Sequence, residues 1–195
     1  MKIAITGNIG AGKSTFASFV EEAGLPVLRA DDISKSILDN DEKVRKLVIK
    51  EFGDESFINS KPNKSFLSQQ VFSDPVKLQK LESILHPGVI KLIDRSIKDL
   101  LKKFPVVFVE AALIYEADME EMFDHVVLIT SERSIRLKRK IASGLSKEDF
   151  SQRESNQIPQ EEKKKRADFI FSNDTTLEDL KMKFKLLLLT LGLKK

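Results

Sequence analysis

The 195-residue sequence predicts a three-layer α/β fold built around a five-stranded parallel sheet. Short apolar segments alternate with helical patterns along the chain, as they do in such folds. The apolar segments are rich in Val and Ile and mostly uninterrupted, which is typical of strands buried on both faces. The five predicted strands are 2–6, 27–30, 106–110, 126–130 and 169–172.

The first predicted strand leads directly into a glycine-rich loop and then into a helix. Residues 7–14 fit the pattern G-x-x-x-x-G-K-[ST]. The N–H groups of such a loop, with the positive end of the helix dipole, surround phosphate oxygens. We therefore predict a P-loop fold that binds a nucleoside triphosphate, in which Lys13 reaches the β- and γ-phosphates and Ser14 binds Mg²⁺. A glycine turn without a ligand is the alternative. The predicted phosphate-binding residues are Gly7, Gly10, Ala11, Gly12, Lys13, Ser14 and Thr15.

The segment between the second and third strands, residues 41–103, is predicted to form one helix after another. Ser73-Asp74-Pro75 predicts a cap at a helix start, and a further helix is expected to begin around Pro87. Because this segment is too long for a simple crossover, we predict a helical substrate-binding insertion. Within a single domain, the core then comprises 1–40, 104–132 and 167–195, and 133–160 forms a lid. The last segment, 177–191, is predicted to be an amphipathic helix packed on the sheet.

Polar residues follow the ends of all five predicted strands. Because ligands of open α/β sheets bind beyond the carboxyl ends of the strands, we expect these residues to share one edge. Each residue alone is compatible with a helix cap or a solvated turn, and together they favour a phosphotransferase site. They are Gly7 to Ser14, then Asp31 and Asp32, Glu110 and Glu116, Arg133, Arg136 and Arg139, and finally Asn173 and Asp174.

The composition restricts the other function classes. A net charge of +3 is too small to argue for nucleic acid, and the absence of cysteine excludes disulfides and thiolate metal sites. The longest apolar stretch, 186–193, is too short to cross a bilayer. Basic residues cluster at 133–140 and 163–166, a pattern typical of solvated helix faces. We expect a cytoplasmic monomer with no nucleic-acid or membrane partner.

Several segments of the sequence together resemble the dephospho-CoA kinase family. The glycine loop is common to many kinases, whereas the His-Pro pair, the Leu-Ile-Tyr-Glu loop and the Lys…Ala-Asp…Asn-Asp ending are more restrictive. The resemblance implies transfer of the ATP γ-phosphoryl group to the ribose 3′-hydroxyl of dephospho-CoA. The matching segments are 7–15, 30–33, 71–74, 85–87, 113–116, 136–139, 153–157, 163–168 and 173–174.

The resemblance also implies roles for individual residues. Asp31 would accept or orient the proton of the acceptor hydroxyl, with a helix cap as the alternative and Asp32 as the better candidate for that cap. Arg139 would lie on the lid and contact the γ-phosphate. Arg136, on the same predicted helix, would be a second ligand of the ATP phosphates or would be solvated. Asn173 would lie near the ATP base. From its position at the end of a strand, Glu110 is predicted to hold a water molecule of Mg²⁺, with a strand-end carboxylate that has no metal role as the alternative. The expected substrate-binding residues are Asp31, Lys64, His86, Leu113, Tyr115 and Glu116, with a structural role at a helix junction as the alternative for His86.

The chain departs from the family pattern at several positions. Arg29 replaces the first acid of an Asp-Ala-Asp sequence, and Asn63-Lys64 stands where the family has Asp-Arg. Ala112 replaces a proline, Thr175 replaces a glycine, and the lid is one residue short near Ser143. These departures weaken mainly the roles that the resemblance implies for Lys64 and for the lid, rather than the resemblance itself.

Two other functions remain open from the sequence. Another small-molecule P-loop kinase, for example one that phosphorylates a nucleoside monophosphate, would share the loop and the lid. A non-catalytic ATP-sensing module would keep Lys13 and Ser14 without needing Asp31 or Arg139. A switch GTPase is disfavoured because the chain has no Asn-Lys-x-Asp motif and no Asp-x-x-Gly after the third strand.

Overall fold

The computed structural model describes residues 1–72 and 74–193. The chain divides into two compact units: the first is Met1–Arg29 with the chain from Ile97 onward, and the second is Ala30–Ser96. The strands are β1 (Lys2–Thr6), β2 (Val27–Arg29), β3 (Phe57–Ile58), β4 (Lys61–Pro62), β5 (Val107–Glu110), β6 (His125–Thr130) and β7 (Phe169–Ser172). The helices are α1 (Lys13–Glu22), α2 (Ala30–Asn40), α3 (Glu42–Phe52), α4 (Lys64–Phe72), α5 (Pro75–Leu100), α6 (Arg133–Ala142), α7 (Lys147–Ser155), α8 (Gln160–Lys164) and α9 (Leu177–Thr190), with single 3₁₀ turns at Asp54–Ser56 and Glu120–Met122.

The first unit contains a five-stranded parallel sheet with the strand order β2-β5-β1-β6-β7. This confirms the predicted sheet, and each strand ends within one residue of its predicted limits. In the register, Ile5 stands opposite Glu110, and Thr130 stands opposite Ser172. The carboxyl ends of the strands therefore lie along one edge, from which the loop after β1 emerges.

The core of the first unit lies between the sheet and the helices α1 and α9. Phe16 on α1 is fully buried, stacked on Phe171 of β7 at 5.8 Å and edge-on to Phe184 of α9 at 5.6 Å between ring centroids. Burying one such ring contributes about 1.5–3 kcal/mol. Leu180 and Leu187 of α9 are buried in the same cluster. The prediction of an amphipathic last helix on the sheet is thus confirmed.

The second unit consists of α2, α3, the β3–β4 hairpin, α4 and most of α5. It begins and ends earlier in the chain than the predicted insertion 41–103. The prediction of helices alone was wrong for the hairpin. Asn59 and Ser60 both have positive φ, 49° and 65°, and form the tight turn between the two strands. This turn has no glycine, so the usual sequence signal for a two-residue hairpin is missing.

The start of α5 agrees with the predicted cap. Asp74 Oδ1 accepts hydrogen bonds from the N–H groups of Val76 at 2.9 Å and Lys77 at 3.3 Å, and Pro75 is the first helical residue. Ser73, the first residue of the predicted cap sequence, lies outside the described residues. In the part of the chain that is described, none of the helices combines the length and the apolar content needed to cross a membrane.

The predicted helix boundary at Pro87 was wrong, because α5 continues through it. A proline inside a helix removes one main-chain hydrogen bond and costs about 3 kcal/mol. The stripe of Leu85, Val89 and Ile93 nevertheless stays buried on both sides of it, which offsets that cost at about 1.5–3 kcal/mol for each side chain. At the next residue, Gly88, a Cβ would lie 3.3 Å from Ile37 of α2, so the missing side chain permits close packing.

Candidate active site

The loop between β1 and α1 adopts a conformation that requires glycine. Gly7 and Gly12 have φ values of +149° and +103°. A Cβ at Gly7 would lie 2.2 Å from the carbonyl oxygen of Ile129, and a Cβ at Gly12 would lie 2.1 Å from Nδ2 of Asn173. Both the backbone conformation and the available space therefore exclude a side chain. The loop lies tightly against the ends of β6 and β7.

A cavity of about 250 Å³ opens over this loop and the start of α1. The N–H groups and the dipole at the N-terminus of α1 favour an anion there. Lys13 Nζ lies 3.5 Å from the carbonyl oxygen of Asn8, so the lysine side chain folds back along the loop. The cavity thus brings together most of the predicted phosphate-binding residues. Its lining comprises Gly10, Gly12, Lys13, Ser14, Thr15, Arg139, Lys140 and Ser143.

Ser14 and Glu110, the two predicted metal-binding residues, are in contact. Ser14 Oγ donates a hydrogen bond to Glu110 Oε1 at 3.2 Å, and Glu110 is only 9% exposed at the end of β5. A hydroxyl and a carboxylate are hard oxygen donors, which fit Mg²⁺, an ion that uses few protein ligands when it binds with a nucleotide. Arg29 Nη1 lies 3.4 Å from the other oxygen of this carboxylate, a contact that was not predicted.

Arg139 forms part of the cavity wall from α6. Its Nη2 donates to the carbonyl oxygen of Asn173 at 2.8 Å, and its Nη1 donates to Ser131 Oγ at 3.3 Å and to the carbonyl oxygen of Gly10 at 3.5 Å. The guanidinium is therefore held beside the phosphate loop, and its contact with the γ-phosphate stays a prediction.

Arg136 is buried rather than solvated, so the solvated alternative for this residue was wrong. Its Nε donates to the carbonyl oxygen of Ser131 at 3.0 Å, and its Nη1 donates to that of Ile9 at 3.2 Å. Its Nη2 forms an ion pair with Glu154 at 2.8 Å. Arg136 thus links α6 and α7 to the glycine loop, and its contact with ATP stays a prediction.

Two amide side chains hold the loop from other parts of the chain. Asn173 Nδ2 donates to the carbonyl oxygen of Ala11 at 2.8 Å. Gln157 Oε1 accepts from the N–H of Ile9 at 2.8 Å, and Asn8 Nδ2 donates to the carbonyl oxygen of Ile158 at 3.1 Å. The sequence analysis included Gln157 only as part of a matching segment, because nothing local to it indicates a contact with the loop.

The 113–116 loop contains a buried ion pair that the sequence analysis missed. Glu116 Oε1 lies 2.8 Å from Lys163 Nζ and accepts from the N–H of Ile158 at 2.8 Å. Lys163 is fully buried and also donates to the carbonyl oxygen of Ala112 at 3.1 Å. Burial lowers the pKa of Lys163, although Glu116 acts in the opposite direction. The interpretation of Lys163 as part of a solvated basic face was therefore wrong.

Tyr115 is also buried, at 2% exposure, with the Arg166 guanidinium 4.4 Å from its ring centroid. Burial raises the pKa of Tyr115 to about 12, so the phenol stays protonated at neutral pH. Leu113 is half-buried. Within this loop, the Tyr115 ring contacts Arg166 and the Glu116 carboxylate contacts Lys163. The contact of the loop with substrate stays a prediction.

The remaining predicted residues belong to the second unit. Asp31 is exposed in the first turn of α2. Asp32 lies inside this helix and pairs with Lys35 at 3.1 Å, so its predicted role as the helix cap was wrong because α2 already begins at Ala30. Neither aspartate caps the helix, and the Asp31 carboxylate is exposed to solvent.

Lys64 and His86 lie on α4 and α5 of the second unit. Lys64 Nζ lies 3.4 Å from Asp39 Oδ1 beside a cavity of about 490 Å³. His86 is half-buried, and burial lowers its pKa, so the imidazole is mostly neutral at pH 7. The roles of both residues in binding substrate stay predictions.

The sequence of this chain is similar to that of known enzymes over nearly its whole length. A sequence model of the family described as Dephospho-CoA kinase matches residues 1–179. The dephospho-CoA kinase of Thermus thermophilus is 36% identical over 187 residues, which cover 95% of this chain and 89% of the relative. The dephospho-CoA kinase of Aquifex aeolicus is 34% identical over 180 residues, which cover 91% of each chain.

Solved structures are also similar to this chain over nearly its whole length. A Thermus thermophilus protein superposes with a TM-score of 0.81 at 35% identity, covering 98% of this chain and 97% of its own. The dephospho-CoA kinase from Campylobacter jejuni gives a TM-score of 0.73 at 29% identity and 98% coverage of both chains. A shikimate kinase from Acinetobacter baumannii, at 14% identity and a TM-score of 0.57 over 99% of this chain and 95% of its own, shows the shared fold alone. The predicted three-layer P-loop kinase fold is confirmed.

Proposed function

Because this chain belongs to the dephospho-CoA kinase family and transfers the γ-phosphoryl group of ATP to the ribose 3′-hydroxyl of dephospho-CoA, we propose that the cavity over the 7–15 loop binds the ATP phosphates. The products are CoA and ADP, so the reaction is the last step of coenzyme A biosynthesis. The observation that carries the proposal is the lining of this cavity, which combines the glycine loop, Lys13 and the guanidinium of Arg139.

The residues around the loop stabilise the transferred phosphoryl group. Its transition state is loose and spreads negative charge over three oxygens, so catalysis depends mainly on position and electrostatics. Lys13, the N–H groups of the loop and Arg139 supply positive charge and hydrogen-bond donors. Arg136 and Asn173 contribute to ATP binding through the main chain of the loop, to which both donate hydrogen bonds.

Ser14 and Glu110 would hold Mg²⁺, Ser14 through its hydroxyl and Glu110 through a water molecule. When bound, Mg²⁺ supplies positive charge that offsets the charge of the phosphate oxygens. The hydrogen bond between Ser14 and Glu110 keeps these two oxygen donors together beside the cavity.

The acceptor side of the reaction is assigned to the second unit and to the 113–116 loop. Asp31 accepts the proton of the 3′-hydroxyl, because a carboxylate exposed at the start of a helix is free to form that hydrogen bond. Lys64 and His86 contact dephospho-CoA, together with Leu113. Tyr115 and Glu116 act by fixing the shape of their loop.

The acceptor is tested by measuring ADP release by the purified chain with Mg·ATP. We expect ADP to form with dephospho-CoA and to remain near the background rate with AMP, with CMP or without an acceptor. Mass spectrometry of the product should show one added phosphoryl group on the ribose, because the 3′-hydroxyl is the attacking group. Turnover with a monophosphate instead would assign the chain to another kind of P-loop kinase. ATP binding without any turnover would indicate an ATP-sensing module.

Replacing Arg139 with lysine is expected to lower kcat about 100-fold, because lysine keeps the charge but loses the planar fork of donors. The KM for ATP should rise less than about fivefold, since Lys13 and the loop N–H groups remain. Steady-state kinetics with dephospho-CoA measure both constants. The matched control is Lys138→Ala, an exposed residue on the same helix, which should change kcat less than about twofold. An unchanged kcat in Arg139→Lys would remove Arg139 from the proposed mechanism.

A further inference from the structure

Arg29 is fixed beside Glu110 at the edge of the sheet. In the parallel pairing of β2 with β5, Arg29 stands directly opposite Glu110, and its Nη1 lies 3.4 Å from Glu110 Oε2. Its Nε and Nη2 donate to the two carboxylate oxygens of Glu21 on α1, at 3.3 Å and 2.9 Å. A guanidinium held by both oxygens of one carboxylate has a defined orientation. Glu21 therefore keeps the positive charge of Arg29 pointed at Glu110.

Both oxygens of Glu110 are engaged by protein groups. Oε1 accepts from Ser14 Oγ, and Oε2 faces Arg29. The Glu110 side chain is 11% exposed and that of Arg29 is 24% exposed, so water screens this pair only in part. The carboxylate that attracts a divalent cation, through a water molecule, therefore already faces a fixed positive charge. Repulsion between two cations in such a partly buried place is stronger than in bulk water.

We propose that Arg29 prevents the Ser14–Glu110 pair from binding a divalent cation on its own, so that the metal enters the site only together with the triphosphate. The negative charge of the phosphates offsets Arg29 and makes the site favourable for the metal. This inference rests on the proposed function only in taking Ser14 and Glu110 as the residues that hold Mg²⁺.

The test measures Mn²⁺ binding to the full chain without nucleotide, from the electron paramagnetic resonance signal of free Mn²⁺. We expect Arg29→Gln to bind Mn²⁺ about tenfold more tightly than the unmodified chain, because the competing charge is gone. In Arg29→Gln/Glu110→Gln the affinity should return to within about twofold of the unmodified chain, because the carboxylate that gains the metal is removed. With saturating ADP, the gain from Arg29→Gln should shrink to less than about threefold.

Lys181→Gln is the matched control. Lys181 forms an ion pair at 2.8 Å with Glu22, the neighbour of Glu21 on α1, so this change also removes one positive charge paired with that helix. Because both side chains of this pair are about half exposed and neither has a described contact with Glu110, Mn²⁺ affinity should change less than about twofold. Thermal unfolding verifies that each variant is folded, and Arg29→Met replaces Arg29→Gln if the glutamine variant is not.

The proposal is overturned if removing Arg29 leaves Mn²⁺ affinity unchanged or weakens it. It is also overturned if the gain persists in the double variant, if Lys181→Gln gives the same gain, or if ADP leaves the gain at its full size. The assay contains no acceptor and no turnover, so these outcomes are independent of whether dephospho-CoA is the substrate.

Discussion

Replacing Asp31 with asparagine is expected to lower kcat for CoA formation about 1000-fold, within the range of about 10²–10⁴ for loss of a general base. Asparagine has nearly the same shape but cannot accept the proton of the attacking hydroxyl. The KM for ATP should change less than about threefold, because the ATP phosphates are assigned to the 7–15 loop. Initial rates of ADP release at varied ATP and dephospho-CoA measure these constants.

Asp32→Asn provides a control at the next residue. Asp32 is exposed in the same helical turn and pairs with Lys35, so the change in charge and in helix electrostatics is nearly identical. Its kcat should stay within about threefold of the unmodified chain. Equal losses in the two variants would mean that the charge of the helix start matters rather than the Asp31 carboxylate. Full activity in Asp31→Asn would contradict its role as the base.

Replacing Lys163 with methionine is expected to lower the free energy of unfolding by about 3–5 kcal/mol. Methionine fills much of the same space, but Glu116 is left as a buried carboxylate without its cation. The second carboxylate oxygen, Glu116 Oε2, is already buried without a hydrogen-bond partner among the described residues. Chemical denaturation followed by circular dichroism measures the change in stability.

Two further variants separate this ion pair from general effects of charge. Lys164→Met removes the next lysine, whose ion pair with Glu161 is exposed, and should change stability by less than about 0.5 kcal/mol. Adding Glu116→Gln to Lys163→Met should recover about half of the loss or more, because no uncompensated charge then remains buried. If Lys163→Met is as stable as Lys164→Met, the 113–116 loop does not depend on this pair.

The strands and the phosphate loop were predictable because their signals are local. Buried parallel strands need continuous apolar runs, and the loop after β1 needs glycine where φ is positive and a Cβ would collide, as at Gly7 and Gly12. The helix cap at Asp74 was predictable for the same reason. The family resemblance added the reaction, which local patterns alone leave open between several phosphate-transferring enzymes.

The remaining features depend on contacts between distant parts of the chain. Lys163 lies in a run of basic residues that is indistinguishable in sequence from a solvated face, and only its pairing with Glu116 makes its burial possible. Arg136 is buried for a similar reason, through Glu154 and the carbonyl oxygen of Ile9. The helix α5 continues through Pro87 because its apolar stripe is buried. Helix propensity describes single residues and does not include this tertiary burial.

The main-chain contacts of the glycine loop have a consequence for the thermodynamics of nucleotide binding. Arg136 and Gln157 engage both polar main-chain groups of Ile9, and Asn173 engages the carbonyl oxygen of Ala11. The loop is therefore ordered by the protein itself, before any phosphate contacts it. A ligand that meets such a preorganised loop loses little affinity to the entropy of ordering it. The hydrogen bonds formed with the phosphates then contribute to the binding free energy without a large deduction for ordering the loop.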